Sequence, residues 1–201
     1  MLDRDHIENI ARKAAYVACK VLGLDQCGCR YSVALIDDPT ISEDGLLDTQ
    51  GNVIQLNLAT LRPFSTETMP DPNIKTDEDR AVDEDYRHMM KVCYVVYHEM
   101  RHLYQKRAVE IYELNRFMGS SSFKPLESSK KCELWKQEMQ GYELGVQGIL
   151  ADGEEIDIEA DANDFAYYLS NRYPIQLPMQ RTSRRLGAMK RKYDKVEVPE
   201  V

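Results

Sequence analysis

Residues 81–117 contain neither proline nor glycine. No other stretch of the chain runs as long without one or the other, so this segment must form the longest helix, and the remainder has to be arranged around it. Near its middle stands the pentad His98-Glu99-Met100-Arg101-His102. Val92, Tyr94, Val95, Val96 and Tyr97 precede the pentad, and Leu103 and Tyr104 follow it. So apolar a lead-in predicts a central, buried helix rather than a solvated one.

The segments on either side read more simply. Residues 3–22 carry Ile7, Ile10, Ala14, Val17, Ala18 and Val21 at helical spacing, with Asp3 as the cap and Gly23 as the stop. Tyr31 to Ile36 alternates and is rich in β-formers, which predicts a strand. Gly45 to Asp48 and Val53 to Leu58 predict two more, joined by a turn at Gln50-Gly51-Asn52. The expected result is a small antiparallel sheet. Residues 63–80 hold three prolines and read as a loop. After the long helix, Gly119 to Pro125 is a break, and a polar helix is expected over 127–144. A further helix is expected over 155–172, and a last, basic one over 180–193. The chain thus predicts one α+β domain over 1–201, with 120–150 as an insertion and 180–201 as a basic C-terminal helix and tail.

Charge and cysteine usage narrow the function classes. The net charge is −8, which repels a phosphate surface and argues against a general nucleic-acid or anionic-membrane binder. No apolar run approaches the ~18 residues that would suggest a membrane span. The N-terminus is charged and lacks an apolar signal core, so a cytoplasmic protein is expected. Five cysteines, Cys19, Cys27, Cys29, Cys93 and Cys132, fit neither a disulfide framework nor a structural zinc site and read as free thiols.

The pentad carries the chemistry. His98 and His102 are four residues apart, so on a helix both imidazoles leave one face a turn apart and can share one ion. Glu99 can reach a water on that ion without ligating the ion itself, which is the H-E-x-x-H arrangement of zinc hydrolases. A buried helix with two histidines needs partners for them, and one metal serves both.

A hydrolytic zinc site needs a third protein ligand and an open position. His88 lies on the same helix about 15 Å from His98 and cannot share its ion, while His6 reads as a first-turn surface residue. A carboxylate from the helix expected after residue 154 is the alternative. Glu159, Ala162, Ala166 and Leu169 share one face with Phe165 beside them, a small apolar surface suited to packing on another helix. A carboxylate pointing inwards from that face requires a cation. Glu159 is therefore the favoured ligand and Asp161 the second. Asp157 and Glu155 lie nearer the helix start, where acids are common for dipole reasons. Tyr142, Tyr167 and Tyr168 are candidate oxyanion donors. Arg101 either pairs with an acid of the 154–164 segment or is solvated.

His98-Glu99-x-x-His102 followed by Glu159-x-x-Ala162-Asn163-x-Phe165-Ala166 resembles the ImmA/IrrE family of zincin-like metallopeptidases, found in bacteria, phages and mobile elements. The order also matches: an N-terminal helix, a sheet whose last strand reads Val53-Ile54-Gln55-Leu56-Asn57, then the metal helix. The stretch between His102 and Glu159 is longer than the family's. The resemblance implies a zincin-like fold, Zn2+ on His98, His102 and Glu159, and Glu99 as the base. It implies a peptidase acting on a specific protein, such as a repressor or regulator. A different class of function also fits the residues, a zincin-fold module that binds metal and regulates by binding alone; Glu99 argues for catalysis, since metal binding does not require it. The seven cations between Arg181 and Lys195 read as a solvated helix near the acidic 152–164 segment, or as a nucleic-acid contact that would make the protease DNA-associated.

Overall fold

A computed structural model describes residues 2–65, 77–119, 123–143, 158–173 and 192–196. The first helix, α1, runs Arg4–Leu22. Asp3 caps it by accepting the His6 N–H at 2.9 Å, and Gly23 ends it in the left-handed conformation at φ 69°. Its buried face, including Ile7, Ala11, Ala14, Ala18 and Val21, packs against the long helix α2, Asp77–Met118. This helix begins four residues before Ala81, since no breaker follows Pro72, and Gly119 closes it at φ 61°.

The strands are β1 (Ser32–Ile36), β2 (Gly45–Asp48) and β3 (Val53–Asn57), in the order β1-β3-β2. β2 and β3 form the expected antiparallel hairpin, with Gly45 opposite Leu56 and Asp48 opposite Val53. The expectation of a wholly antiparallel sheet is corrected at the other pair. β1 lies parallel to β3, Ser32 opposite Val53 and Ile36 opposite Asn57, so the sheet is mixed. After β1 the chain crosses beyond the place of β3 before turning into β2, and β3 then runs back between them in the direction of β1. The buried side chain of Asn57 fixes that crossing. It accepts from the Asp38 N–H at 3.1 Å and donates to the carbonyls of Asp38 and Ile41 at 2.9 and 3.0 Å. A buried amide thus satisfies loop groups that no ladder reaches.

Two helices cover the other side of α2. Helix α3, Ser129–Glu143, buries Trp135 and Cys132 against α2 and keeps its polar remainder outside. Helix α4, Ile158–Ser170, presents Ala162, Phe165, Ala166 and Leu169, all fully buried, to α2. Small side chains at helical spacing allow that close approach. The architecture is therefore α+β, with a three-stranded mixed sheet and α2 at the centre of four helices among the described residues. None of these helices is long and apolar enough to cross a membrane. Most of the expected basic helix, and the start of the helix expected from 155, lie outside the described residues. The last basic residues, Lys192 and Lys195, belong to a segment that folds back onto α2 and α4.

Candidate metal centre

The close contact of α2 with α4 decides what the pentad faces. His98, His102 and Glu159 each bring one ligand-type atom into a group lying within 4.8 Å of one another. The Nε2 atoms of His98 and His102 are 2.9 Å apart. Glu159 Oε2 is 3.2 Å from His98 Nε2, and its Oε1 is 3.3 Å from His102 Nε2. The histidine side chains are 17% and 18% exposed and Glu159 is 42% exposed, so the cluster is walled by protein on one side and open on the other.

The other ring nitrogens explain the orientation. His102 Nδ1 lies 2.9 Å from Gln105 Oε1. The Gln105 amide nitrogen donates to the Ile158 carbonyl at 3.1 Å and to Asp161 at 2.9 Å, so its oxygen must face the ring. His102 therefore carries a hydrogen on Nδ1 and turns Nε2 towards Glu159. His98 Nδ1 lies 3.1 Å from Asn163 Oδ1, which also accepts from Tyr94 Oη at 3.0 Å. Each ring is held by an amide that leaves Nε2 directed at the same point.

Two imidazole nitrogens and a carboxylate that converge in this way repel unless a cation or a proton stands between them. Zinc fits the donor set, which is two imidazoles and one carboxylate with an open side. Nitrogens bound at about 2.0–2.1 Å to a tetrahedral zinc lie about 3.3 Å apart, so the two rings need part by only a few tenths of an ångström. Ligating histidines characteristically give their second N–H to an oxygen acceptor, as both do here. Without the ion, the cluster favours a proton. Burial opposes charge on His102, but the hydrogen bond and charge of Glu159, with Glu99 behind it, prevail and raise its pKa. Hydrogen bonds from His102 and His98 hold the Glu159 carboxyl well below the usual carboxylate range.

Glu99, between the two histidines in sequence, is 7% exposed. Burial raises its pKa, against the pull of the two histidines. Strand β2 lies against it. Any side chain at Gly45 would collide with Val95, and its Cβ would stand 3.5 Å from Glu99 Cγ. The glycine therefore lets the strand lie directly on the pentad.

The other candidates fall elsewhere. Asp161, the second choice for ligand, faces away from the histidine nitrogens. Its Oδ2 accepts from Arg101 Nε at 2.7 Å, and both residues are nearly fully buried. Arg101 thus takes the paired reading rather than the solvated one. Glu155 and Asp157, and the side chain of Tyr142, lie outside the described residues. Tyr168 bonds Asp194 and Arg172, and so serves the C-terminal segment. His6 is an exposed partner of Asp3. His88 is buried and accepts the Leu2 N–H. All five cysteines are free thiols. Sequence reasoning assigned no role to Gln105, Asn163 or Tyr94. Gln105 at three residues after His102 and Asn163 at four after Glu159 share the ligands' helix faces, and that spacing was the available signal. Comparison of the chain with protein-family models, curated proteins and solved structures returns no match.

Proposed function

We propose that the protein is a zinc-dependent peptidase, with His98, His102 and Glu159 as ligands and Glu99 as general base. The observation that carries this reading is the convergence of His98 Nε2, His102 Nε2 and the Glu159 carboxylate, with both Nδ1 atoms already engaged. A bound zinc supplies Lewis-acid polarisation and lowers the pKa of water towards ~7. The chain's own residues do the rest. Asn163 and Gln105 hold the imidazoles in one tautomer and one orientation. Burial raises the pKa of Glu99, which makes its carboxylate a stronger base. The exposed side of Glu159 leaves the centre open to a polypeptide.

The resemblance to the zincin-like ImmA/IrrE metallopeptidases belongs to the same proposal. It is supported by the order of α1, a sheet ending at Val53–Asn57, the pentad helix and the Glu159 helix. The substrate class is then a protein or peptide. The test is incubation of the zinc-loaded protein with a library of unstructured peptides, read by mass spectrometry. Cleavage by the wild type that stops in a zinc-retaining Glu99→Gln variant is expected. Cleavage that persists undiminished in Glu99→Gln would assign the chemistry elsewhere.

A further inference from the structure

The pentad also contains Arg101, which turns away from the ligands into the core. Its Cζ lies 4.7 Å from the Tyr104 ring and 5.3 Å from that of Phe165, so the guanidinium is enclosed by aromatic faces. Its Nε donates to Asp161 at 2.7 Å, and its Nη1 donates to the hydroxyl of Tyr193 at 2.7 Å. Asp161 accepts in turn from Gln105, whose oxygen holds the Nδ1–H of His102. An unbroken series of polar contacts therefore joins Tyr193 to a ligand of the candidate zinc centre. Of its interior members, Arg101 is 1%, Asp161 3% and Gln105 0% exposed, so none can replace a lost partner with bulk water.

Tyr193 sits in the short segment 192–196, which many bonds clamp. Arg172 donates to the backbone carbonyls of Tyr193 and Asp194 at 2.6 and 2.9 Å. Tyr168 donates to Asp194 at 2.8 Å, and Lys192 pairs with Glu127 and the Tyr104 hydroxyl. The segment crosses 92 residues of sequence to reach Arg101. Packing alone would be served by a phenylalanine ring at 193. The hydroxyl aimed at Arg101 does something more specific, in that it fixes the guanidinium against Asp161.

The geometry points to a positioning relay, Tyr193–Arg101–Asp161–Gln105, by which docking of the 192–196 segment sets the orientation of the His102 ring and with it the affinity of the centre for zinc. Tyr193, Arg101, Asp161 and Gln105 are positioning residues; none touches the metal. Release of the segment, by proteolysis or by capture on a partner, then weakens zinc binding without touching a ligand. The inference rests on the zinc reading above and adds a means of regulating that site.

The experiment measures zinc dissociation constants by competition with a chelating dye, for the full chain and for Gln105→Leu, Tyr193→Phe, the double variant and Leu24→Ala. Each is held at a temperature where circular dichroism shows it folded. Gln105→Leu is expected to weaken zinc about 10–100-fold. Tyr193→Phe is expected to weaken it about 3–10-fold in the wild-type background and to add nothing in the Gln105→Leu background. Leu24→Ala removes a fully buried side chain that is not a member of the relay, and should lower the melting temperature while leaving zinc affinity unchanged. Visible spectra of the cobalt-loaded proteins should shift in Gln105→Leu and Tyr193→Phe only. Equal effects of Tyr193→Phe in both backgrounds, or a loss of affinity in Leu24→Ala matching that of Tyr193→Phe, would overturn the relay. A wild type that binds zinc alongside variants that bind it equally well overturns the relay alone. A wild type that binds neither metal overturns the zinc reading as well.

Discussion

Replacing Asp161 by Asn removes one charge and almost no volume from the interior. The guanidinium of Arg101 is then left buried with no counter-ion at its Nε, although Tyr193 and the aromatic rings remain. Breaking a buried ion pair from one side costs about 3–5 kcal/mol, because the surviving charge has already lost its water. Lys131 also reaches Asp161, at 3.3 Å, but it is 27% exposed and can turn to solvent. Most of the penalty therefore falls on Arg101. At an m-value of about 2–3 kcal/mol/M in urea, the unfolding midpoint of the metal-free protein should fall by about 1–2.5 M. The reverse experiment isolates the cause. In Arg101→Met/Asp161→Leu both charges are gone, and such replacements are commonly neutral or stabilising. The double variant should therefore recover most of the midpoint lost by Asp161→Asn. Urea titrations followed at 222 nm in the presence of a chelator measure both. A midpoint for Asp161→Asn within about 0.3 M of wild type would refute the reasoning. So would a double variant less stable than Asp161→Asn.

Three other outcomes are expected. Because the folded pKa of His102 is raised, its proton stabilises the metal-free cluster fully below the unfolded value of about 6.5 and ceases to do so as pH rises through the folded value. Zinc must displace that proton, so calorimetry below about pH 6.5 in buffers of different ionisation enthalpy should show proton release on zinc binding, and no release would contradict the assignment. Gly45→Ala forces β2 away from Val95 and Glu99; it should cost about 1–3 kcal/mol of stability and impair peptide cleavage more than zinc affinity, read by denaturation and mass spectrometry side by side. Burial pushes the Cys93 thiol up to about 12 and the Cys29 thiol up to about 11, so iodoacetamide at pH 8 should label these two thiols slowly in the native protein and fast in the urea-unfolded one, read by peptide mass mapping.

The helices were legible because burial repeats with the helical period. Ile7, Ala14, Ala18 and Val21 face the core as their spacing predicts, and so do Ala162, Ala166 and Leu169. That same pattern singled out Glu159 as the carboxylate in line with the packed face. Strand direction was not legible. The alternation of Tyr31 to Ile36 is the same in a parallel and an antiparallel pair, and the parallel pairing of β1 with β3 depends on Asn57 holding a distant loop. Asp161 stood second as a ligand because two residues along a helix is a small step in sequence. It is a rotation of about 200° in space, and it brings the carboxylate to Arg101 instead of the histidines. The roles of Gln105, Asn163 and Tyr193 depend on which amide or hydroxyl meets which ring or guanidinium, and residue type alone does not encode that.

The central claim is that His98, His102 and Glu159 hold one zinc. Metal analysis of the purified protein after zinc loading and desalting tests it most directly, with His98→Ala, Glu159→Gln and Glu99→Gln beside the wild type. The expected result is about one zinc per chain in the wild type and in Glu99→Gln, none retained in His98→Ala, and much weakened retention in Glu159→Gln. A wild type that keeps no zinc, or a His98→Ala variant that keeps as much as the wild type, would contradict the account.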